Sequence, residues 1–213
     1  MTRIKVCGLT RESDVRAAVA LGADALGFIL APSPRRVTLE QVASLTRGLP
    51  PFVSVVGVMA DPTDEELGEI TESGLFDCLQ FHGFEGPERL AGLPAKTIKA
   101  FGVSRAEDLD RVKTYEETAD FFLFDTKAGA ASGGTGQAFD WSILAGRSFS
   151  RSFILAGGLG PENIREAIGR VRPSAVDLNS RLESSPGIKD HELMARAILA
   201  VKKYEKENLR GEL

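Results

Sequence analysis

Two residues in this chain combine a titratable group with a place from which it can move a proton: Cys7 and Asp125. Asp125 closes the apolar run Phe121 to Phe124, which reads as a buried strand. Burying a carboxylate is costly, so a carboxylate at the tip of an apolar strand usually faces a cleft. The loop behind it is built of Gly, Ala, Ser and Thr, too small to pack a core of its own. Gly133, Gly134 and Gly136 let backbone amides approach a ligand, and Phe139 and Trp141 re-anchor the chain. The bland alternative is a capped strand and a floppy loop; the general link between long loops and function favours a site. Cys7 lies in Lys5-Val6-Cys7-Gly8. Side chains alternate along a strand, so Lys5 and Cys7 share one face and Ile4 and Val6 the other. A thiol there is either a small core residue or a base and nucleophile, and the strand tip, with Gly8 opening space beside it, tilts the reading toward the base.

Further candidates sit where other short apolar runs end. Leu30-Ala-Pro-Ser-Pro-Arg-Arg-Val37 is a loop stiffened by two prolines that carries Arg35 and Arg36. One guanidinium here suits bidentate binding of a carboxylate, although a loop arginine is commonly just solvated. In Gln80-Phe81-His82-Gly83, Gln80 and His82 face the same way as Cys78. His82 at the rim either binds ligand or caps the loop. Cys78 lies about 13 Å deeper at strand rise and reads as core. His191 reads as surface. Ala156-Gly157-Gly158-Leu159-Gly160-Pro161 and Asp177-Leu178-Asn179-Ser180-Arg181 follow two late strands. Gly157 and Gly158 with Asn179 and Ser180 suit a phosphate held by backbone amides.

The elements that must position these residues are strands alternating with helices. Strands are expected near Arg3–Cys7, Ala23–Ile29, Phe52–Val58, Asp77–Phe81, Thr97–Phe101, Asp120–Phe124, Ser152–Ala156 and Ala175–Leu178. Capping boxes are expected at Thr38 with Gln41, Thr63 with Glu66 and Ser104 with Glu107. A helix near Pro161–Ile168 would have Pro at its first position, and another runs roughly from Asp190 to Glu205 before a frayed tail. Eight strand–helix units in 213 residues, with no linker between them, imply one α/β domain over residues 1–213, a closed parallel (β/α)8 TIM barrel with helices outside. Its site belongs at the carboxyl ends of the strands. Strands one and eight are neighbours in such a barrel, so inward-facing Lys5 and Asp177 are expected to pair beneath Cys7. Lys5 then lowers the thiol pKa and Asp177 opposes it.

Bulk properties exclude several classes. Hydrophobic residues make up 43% and charged residues 26%, which is ordinary for a soluble globular protein. The net charge of −4, with no long Lys/Arg run, argues against a nucleic-acid partner. No apolar stretch is long enough to span a membrane and no signal-peptide pattern opens the chain, so the expected location is cytoplasmic. Cys7, Cys78, His82 and His191 form no metal-ligand spacing, and a disulfide is not expected in a reducing compartment.

With these residues in view, the chain resembles the phosphoribosylanthranilate isomerases of tryptophan biosynthesis. The resemblance runs through Lys5-Val6-Cys7-Gly8-Leu9-Thr10, Gly22-Ala23-Asp24-Ala25-Leu26-Gly27-Phe28, Ser33-Pro34-Arg35-Arg36 and Gln80-Phe81-His82-Gly83. It continues through Leu123-Phe124-Asp125, Gly133-Gly134-Thr135-Gly136 with Phe139-Asp140-Trp141, Ala156-Gly157-Gly158-Leu159 and Pro186-Gly187-Ile188-Lys189-Asp190. It implies an Amadori rearrangement of N-(5-phosphoribosyl)anthranilate, with Cys7 as general base and Asp125 as general acid. Arg35 would take the anthranilate carboxylate, and Gly157, Gly158 and the Asn179–Arg181 turn the phosphate. It implies no metal and no organic cofactor, and a small phosphorylated molecule as partner; monomer and homodimer both stay open. The family's strand-eight turn often reads Ser-Ser-Gly; here Asn179-Ser180-Arg181 puts a cation where a glycine stood, so either the turn needs no positive φ or Arg181 joins the phosphate grip. An indole-forming lyase of the same fold would want Lys and Glu at strand tips. The related histidine-pathway isomerase would place Asp where Cys7 stands, and a barrel that only binds a phosphorylated ligand would not need the acid and base.

Overall fold

The structure, a computed structural model, describes residues 1–126 and 140–209. Gly133, Gly134, Gly136 and Phe139 lie outside the described residues, whereas Trp141 is buried. In chain order the elements are β1 (Arg3–Cys7), α1 (Glu12–Leu21), β2 (Ala25–Ile29), α2 (Leu39–Leu45), β3 (Ser54–Met59), α3 (Asp64–Glu72) and β4 (Cys78–Phe81). Then come β5 (Lys96–Val103), β6 (Phe121–Thr126), β7 (Phe153–Leu155), α4 (Ile164–Val171), β8 (Ala175–Leu178), β9 (Glu183–Ser185), β10 (Ile188–Lys189) and α5 (His191–Leu209). Strands β1 to β8 pair in sequence order, all in parallel, and β8 closes on β1. This is the (β/α)8 barrel that the alternation of elements implied.

Alternating side chains divide the protein into two cores. Val56, Val58, Ile98, Ala100, Leu123, Ile154 and Ala156 fill the barrel together with Cys7. Ile4, Val6, Leu26, Phe28, Phe122, Phe124, Val176 and Leu178 face the other way, toward the helices. The feet of the strands share one device. Asp24, Asp77 and Asp120 precede β2, β4 and β6, and each accepts a hydrogen bond from an amide of the preceding strand: Ile4, Val55 and Thr97 at 2.8, 2.7 and 2.7 Å. These charge-assisted bonds lock the register between successive strands.

Several elements differ from their sequence reading. The segments outside β4, β5 and β6 wind as 3₁₀ helices over Pro87–Arg89, Ala106–Tyr115 and Trp141–Ile143. In the second of these the buried residues are Leu109, Val112 and Tyr115, a spacing of three that the 3₁₀ turn keeps on one face. Its start is held by Asp108, which accepts from the amides of Ser104 and Arg105, and not by a Ser104–Glu107 box. The boxes at Thr38–Gln41 and Thr63–Glu66 form as expected. Pro161 lies in the turn before α4, because Asn163 folds that turn: its side-chain oxygen accepts from Gly160 and its amide donates to Gly158. Strand β3 begins at Ser54, beyond a fully exposed Phe52 whose φ is +70°. The hairpin of β9 and β10 was not visible in the sequence, and α5 reaches Leu209. Among the described residues no helix is long and apolar enough to cross a membrane.

Candidate active site

A cavity of about 280 Å³ opens at the carboxyl ends of the strands. Cys7, Arg35, His82, Asp125, Gly157, Gly158, Asn179, Ser180 and Arg181 all line it, so these nine candidate residues from the sequence come to one place. Arg36 lines a neighbouring depression instead, between α2 and α3. Cys78 is half-buried and faces the barrel interior, as its place in the strand implied. His191 is more than a surface residue: its Nε2 lies 2.8 Å from Oδ1 of the fully buried Asp14.

Beneath Cys7, Lys5 Nζ donates to Asp177 Oδ2 at 2.9 Å and to Gln80 Oε1 at 2.9 Å. An ammonium only donates, so it fixes the Gln80 amide with its oxygen toward Lys5 and its NH₂ toward His82 Nδ1, 3.1 Å away. His82 Nδ1 is therefore the acceptor. The ring proton sits on Nε2, which lies 3.6 Å from Asp125 Oδ2. An interior polar chain thus runs from Asp177 through Lys5, Gln80 and His82 to Asp125. Gln80 was seen to face inward, but nothing local in the sequence marks it as a bridge.

The electrostatics bear out one expectation and decide a contest that the sequence left open. Burial pushes the Asp125 carboxyl above its ordinary value; Asp177 adds to this, while His82, the Thr126 amide and Lys5 oppose it. The Cys7 thiol also moves up, first through burial and then through Asp177, against the lowering by Lys5 and Lys189. The cation beneath the thiol therefore tempers a rise, and the contest that the sequence left open ends with the thiol above its ordinary value. Burial works against the Lys5 charge, yet Asp177 and Cys7 together raise its pKa.

Arg35 reaches the cavity already gripped. Its Nε donates to Glu183 Oε1 and Oε2 at 2.9 and 3.1 Å, and Nη2 donates to Oε2 at 2.7 Å. Buried Lys189 donates to the same Glu183 at 2.8 Å and to Asn179 Oδ1 at 2.9 Å. Burial pushes the Glu183 carboxyl up, but Arg35 and Lys189 more than offset it and hold it low. Two cations thus share one carboxylate, which leaves the Arg35 end of the cavity net positive. Glu183 and Lys189 lie outside the cavity lining but hold two residues that form it, Arg35 and Asn179, and sequence reasoning missed them; the only signal was the Pro186–Asp190 motif, which turns out to hold the second arm of the β9–β10 hairpin. Gly8 has φ +71°, and a Cβ there would lie 2.6 Å from Asn179 Oδ1 and 2.8 Å from Arg35 Cδ, so its missing side chain lets both ends of this network meet β1.

Also in the lining, Gly157 has φ +84° and a Cβ on it would lie 2.5 Å from the Thr126 amide. No other residue fits there without displacing the tip of β6. The β8 turn winds as a 3₁₀ segment, Ser180–Leu182, and Arg181 is not among the described non-glycine residues with positive φ. The turn therefore has no need of the glycine it lacks.

A closed parallel barrel with its cleft lined from the carboxyl ends of the strands places this chain in the TIM-barrel class of enzymes. Residues 4–200 match the N-(5'-phosphoribosyl)anthranilate (PRA) isomerase family. A curated N-(5'-phosphoribosyl)anthranilate isomerase from Petrotoga mobilis is 48% identical over 198 residues, covering 93% of this chain and 96% of the relative. The crystal structure of phosphoribosyl anthranilate isomerase from Thermotoga maritima superposes with a TM-score of 0.87 at 38% identity, covering 95% of this chain and 100% of the other. A solved structure of the same enzyme type in complex with reduced 1-(o-carboxyphenylamino)-1-deoxyribulose 5-phosphate superposes with a TM-score of 0.82 at 36% identity, over 95% of this chain and 100% of the other. The chain belongs to the N-(5'-phosphoribosyl)anthranilate isomerase family.

Proposed function

We propose that this chain converts N-(5-phosphoribosyl)anthranilate to 1-(2-carboxyphenylamino)-1-deoxyribulose 5-phosphate, an Amadori rearrangement in tryptophan biosynthesis, by acid–base catalysis from Asp125 and Cys7. The observation that carries this reading is the thiol and the carboxyl on the tips of β1 and β6, facing one cavity between a guanidinium and a glycine turn. Asp125, raised by burial, protonates the furanose ring oxygen and the ring opens to a Schiff base. Cys7 then takes the proton from C2′ to give an enolamine, which becomes the ketone. His82, with its Nε2 proton beside Asp125, contacts the substrate at the rim. Gly157, Gly158 and the Asn179–Arg181 turn hold the phosphate.

Family membership supports the reaction, and the cavity supports the roles. The histidine-pathway alternative is disfavoured by the thiol at Cys7, and the lyase because no Lys–Glu pair lies among the described residues that line the cavity. A phosphorylated intermediate of amino-acid biosynthesis suits a cytoplasmic enzyme. The Thermotoga maritima relative is described as dimeric, and the homodimer is the assembly proposed here. The test is turnover: the purified protein should consume N-(5-phosphoribosyl)anthranilate with loss of anthranilate fluorescence. A folded protein that leaves the fluorescence at the uncatalysed rate is not this isomerase.

Arg35→Ala is expected to weaken binding of the reduced product analogue at least tenfold, because a bidentate charged contact contributes on the order of 1.5–3 kcal/mol. Arg36→Ala, in the neighbouring depression, should change it little. Calorimetric titration of both variants checks this; a loss confined to Arg36→Ala assigns the carboxylate to the wrong arginine.

A further inference from the structure

Four carboxylates among the described residues have side chains at least nine-tenths buried: Asp14, Glu85, Asp177 and Glu183. Both oxygens are filled in three of them. Asp14 accepts from Arg11, His191 and the Lys189 amide. Glu85 accepts from Lys99 and from the amides of Asp61 and Gly83. Glu183 accepts from Arg35 and Lys189. Asp177 differs. Its Oδ2 is held by Lys5, while its Oδ1 has no hydrogen-bond donor among the described residues although it is buried. It is also the one of the four that lines the cavity together with Cys7 and Asp125. A buried acceptor left empty is costly, and beside a ligand cavity the ligand is the natural source of the missing donor.

Under the reading above, the substrate carbon that Cys7 deprotonates carries a hydroxyl. That hydroxyl must lose its proton when the enolamine becomes a ketone. We propose that Asp177 Oδ1 binds the substrate's 2′-hydroxyl and accepts its proton in this last step, which makes Asp177 a third catalytic residue. The inference rests on the roles assigned to Cys7 and Asp125. The step balances. Asp125 has already given its proton to the ring oxygen, and Cys7 holds the C2′ proton as a thiol. The O–H bond breaks toward oxygen and its electrons form C2′=O. The electrons of the C1′=C2′ bond take the thiol proton to form C1′–H. Asp177 receives the hydroxyl proton, and solvent carries it to Asp125, restoring thiolate and carboxylic acid for the next cycle. Lys5 keeps the acceptor in place through Oδ2 without occupying Oδ1.

The test uses Asp177→Asn, whose amide oxygen still accepts from Lys5, and substrate deuterated at C2′. Product formation should fall by about tenfold or more, a typical lower effect for a proton-transfer group. Unreacted substrate should meanwhile lose its deuterium to solvent faster than product appears, because Cys7 still removes it and the stalled enolamine reverts. Unchanged product formation, or product formation and label loss falling together, overturns the proposal; the second result would mean that Asp177 acts only by holding Lys5. A wild-type protein that does not isomerise the substrate defeats the underlying reading and this one with it. If Asp177→Asn does not fold, the wild type decides: the reduced product analogue, which keeps the 2′-hydroxyl, should bind about tenfold or more tighter than its 2′-deoxy counterpart, as loss of a hydrogen bond to a charged group predicts. Equal affinities overturn the proposal.

Discussion

Asp125→Asn is expected to lower kcat by about 10² to 10⁴-fold, the usual contribution of a general acid, while leaving the barrel folded. The substitution is isosteric and can keep the oxygen that accepts from the Thr126 amide at 2.7 Å. It removes only the proton that the ring oxygen needs. Its effect on stability runs the other way. Burial raises the Asp125 carboxyl, so folding costs most where the group is ionised in the unfolded chain. Stability from this group is full below the unfolded value of about 4 and is lost as pH rises through the higher folded value. At neutral pH the neutral amide should therefore melt no lower than the wild type. Single-turnover fluorescence and thermal melts give both readouts. A folded variant that keeps more than a third of wild-type activity would show that the acid is another group.

Lys5→Met is expected to cost about 3–5 kcal/mol, the usual penalty for stranding one member of a buried ion pair, a large share of a typical domain's stability. The side chains of Lys5 and Asp177 are only 3% and 8% exposed, so water does little to rescue the remaining carboxylate. Lys5 is raised in the folded state, so its stabilisation is complete below its unfolded pKa of about 10.4 and is lost only as pH climbs through the folded value. The loss should therefore show in full at neutral pH by urea titration. The same substitution removes one of the two cations that temper the thiol and leaves only Lys189 against Asp177, so the Cys7 pKa should rise further. The ordinary order of acidity, a carboxyl near 4 and a thiol near 8.5, sets the shape of the pH profile. The productive form then carries a protonated Asp125 and an ionised Cys7. Its fraction climbs with pH up to the Asp125 pKa, stays level, and falls above the Cys7 pKa. In the variant the level part of the kcat/KM profile should be lower and its falling limb displaced to higher pH. A folded variant with an unchanged falling limb and an unchanged rate of thiol alkylation would make Lys5 a purely structural residue.

What could be read from the amino-acid sequence was whatever depends on near neighbours. Alternation within Lys5–Cys7 and Cys78–His82 told which side chains enter the barrel, and the order of strands and helices told which strands touch. Together they were enough to bring Lys5 to Asp177, which the structure pairs at 2.9 Å, and to put nine candidate residues on one cavity. The tertiary structure decided what depends on distances between remote residues. Glu183 grips Arg35 across 148 positions, and Lys189 joins both to the β8 turn, contacts that no local pattern encodes. The Ala106–Tyr115 segment could be read as helical, but whether it wound as α or 3₁₀ was settled by the surface that Leu109, Val112 and Tyr115 had to meet. The sign of the thiol shift was likewise undetermined in the sequence. It is the sum of burial, one anion and two cations, Asp177 against Lys5 and Lys189, and the effect of each charge falls off with a distance that only the closed barrel sets.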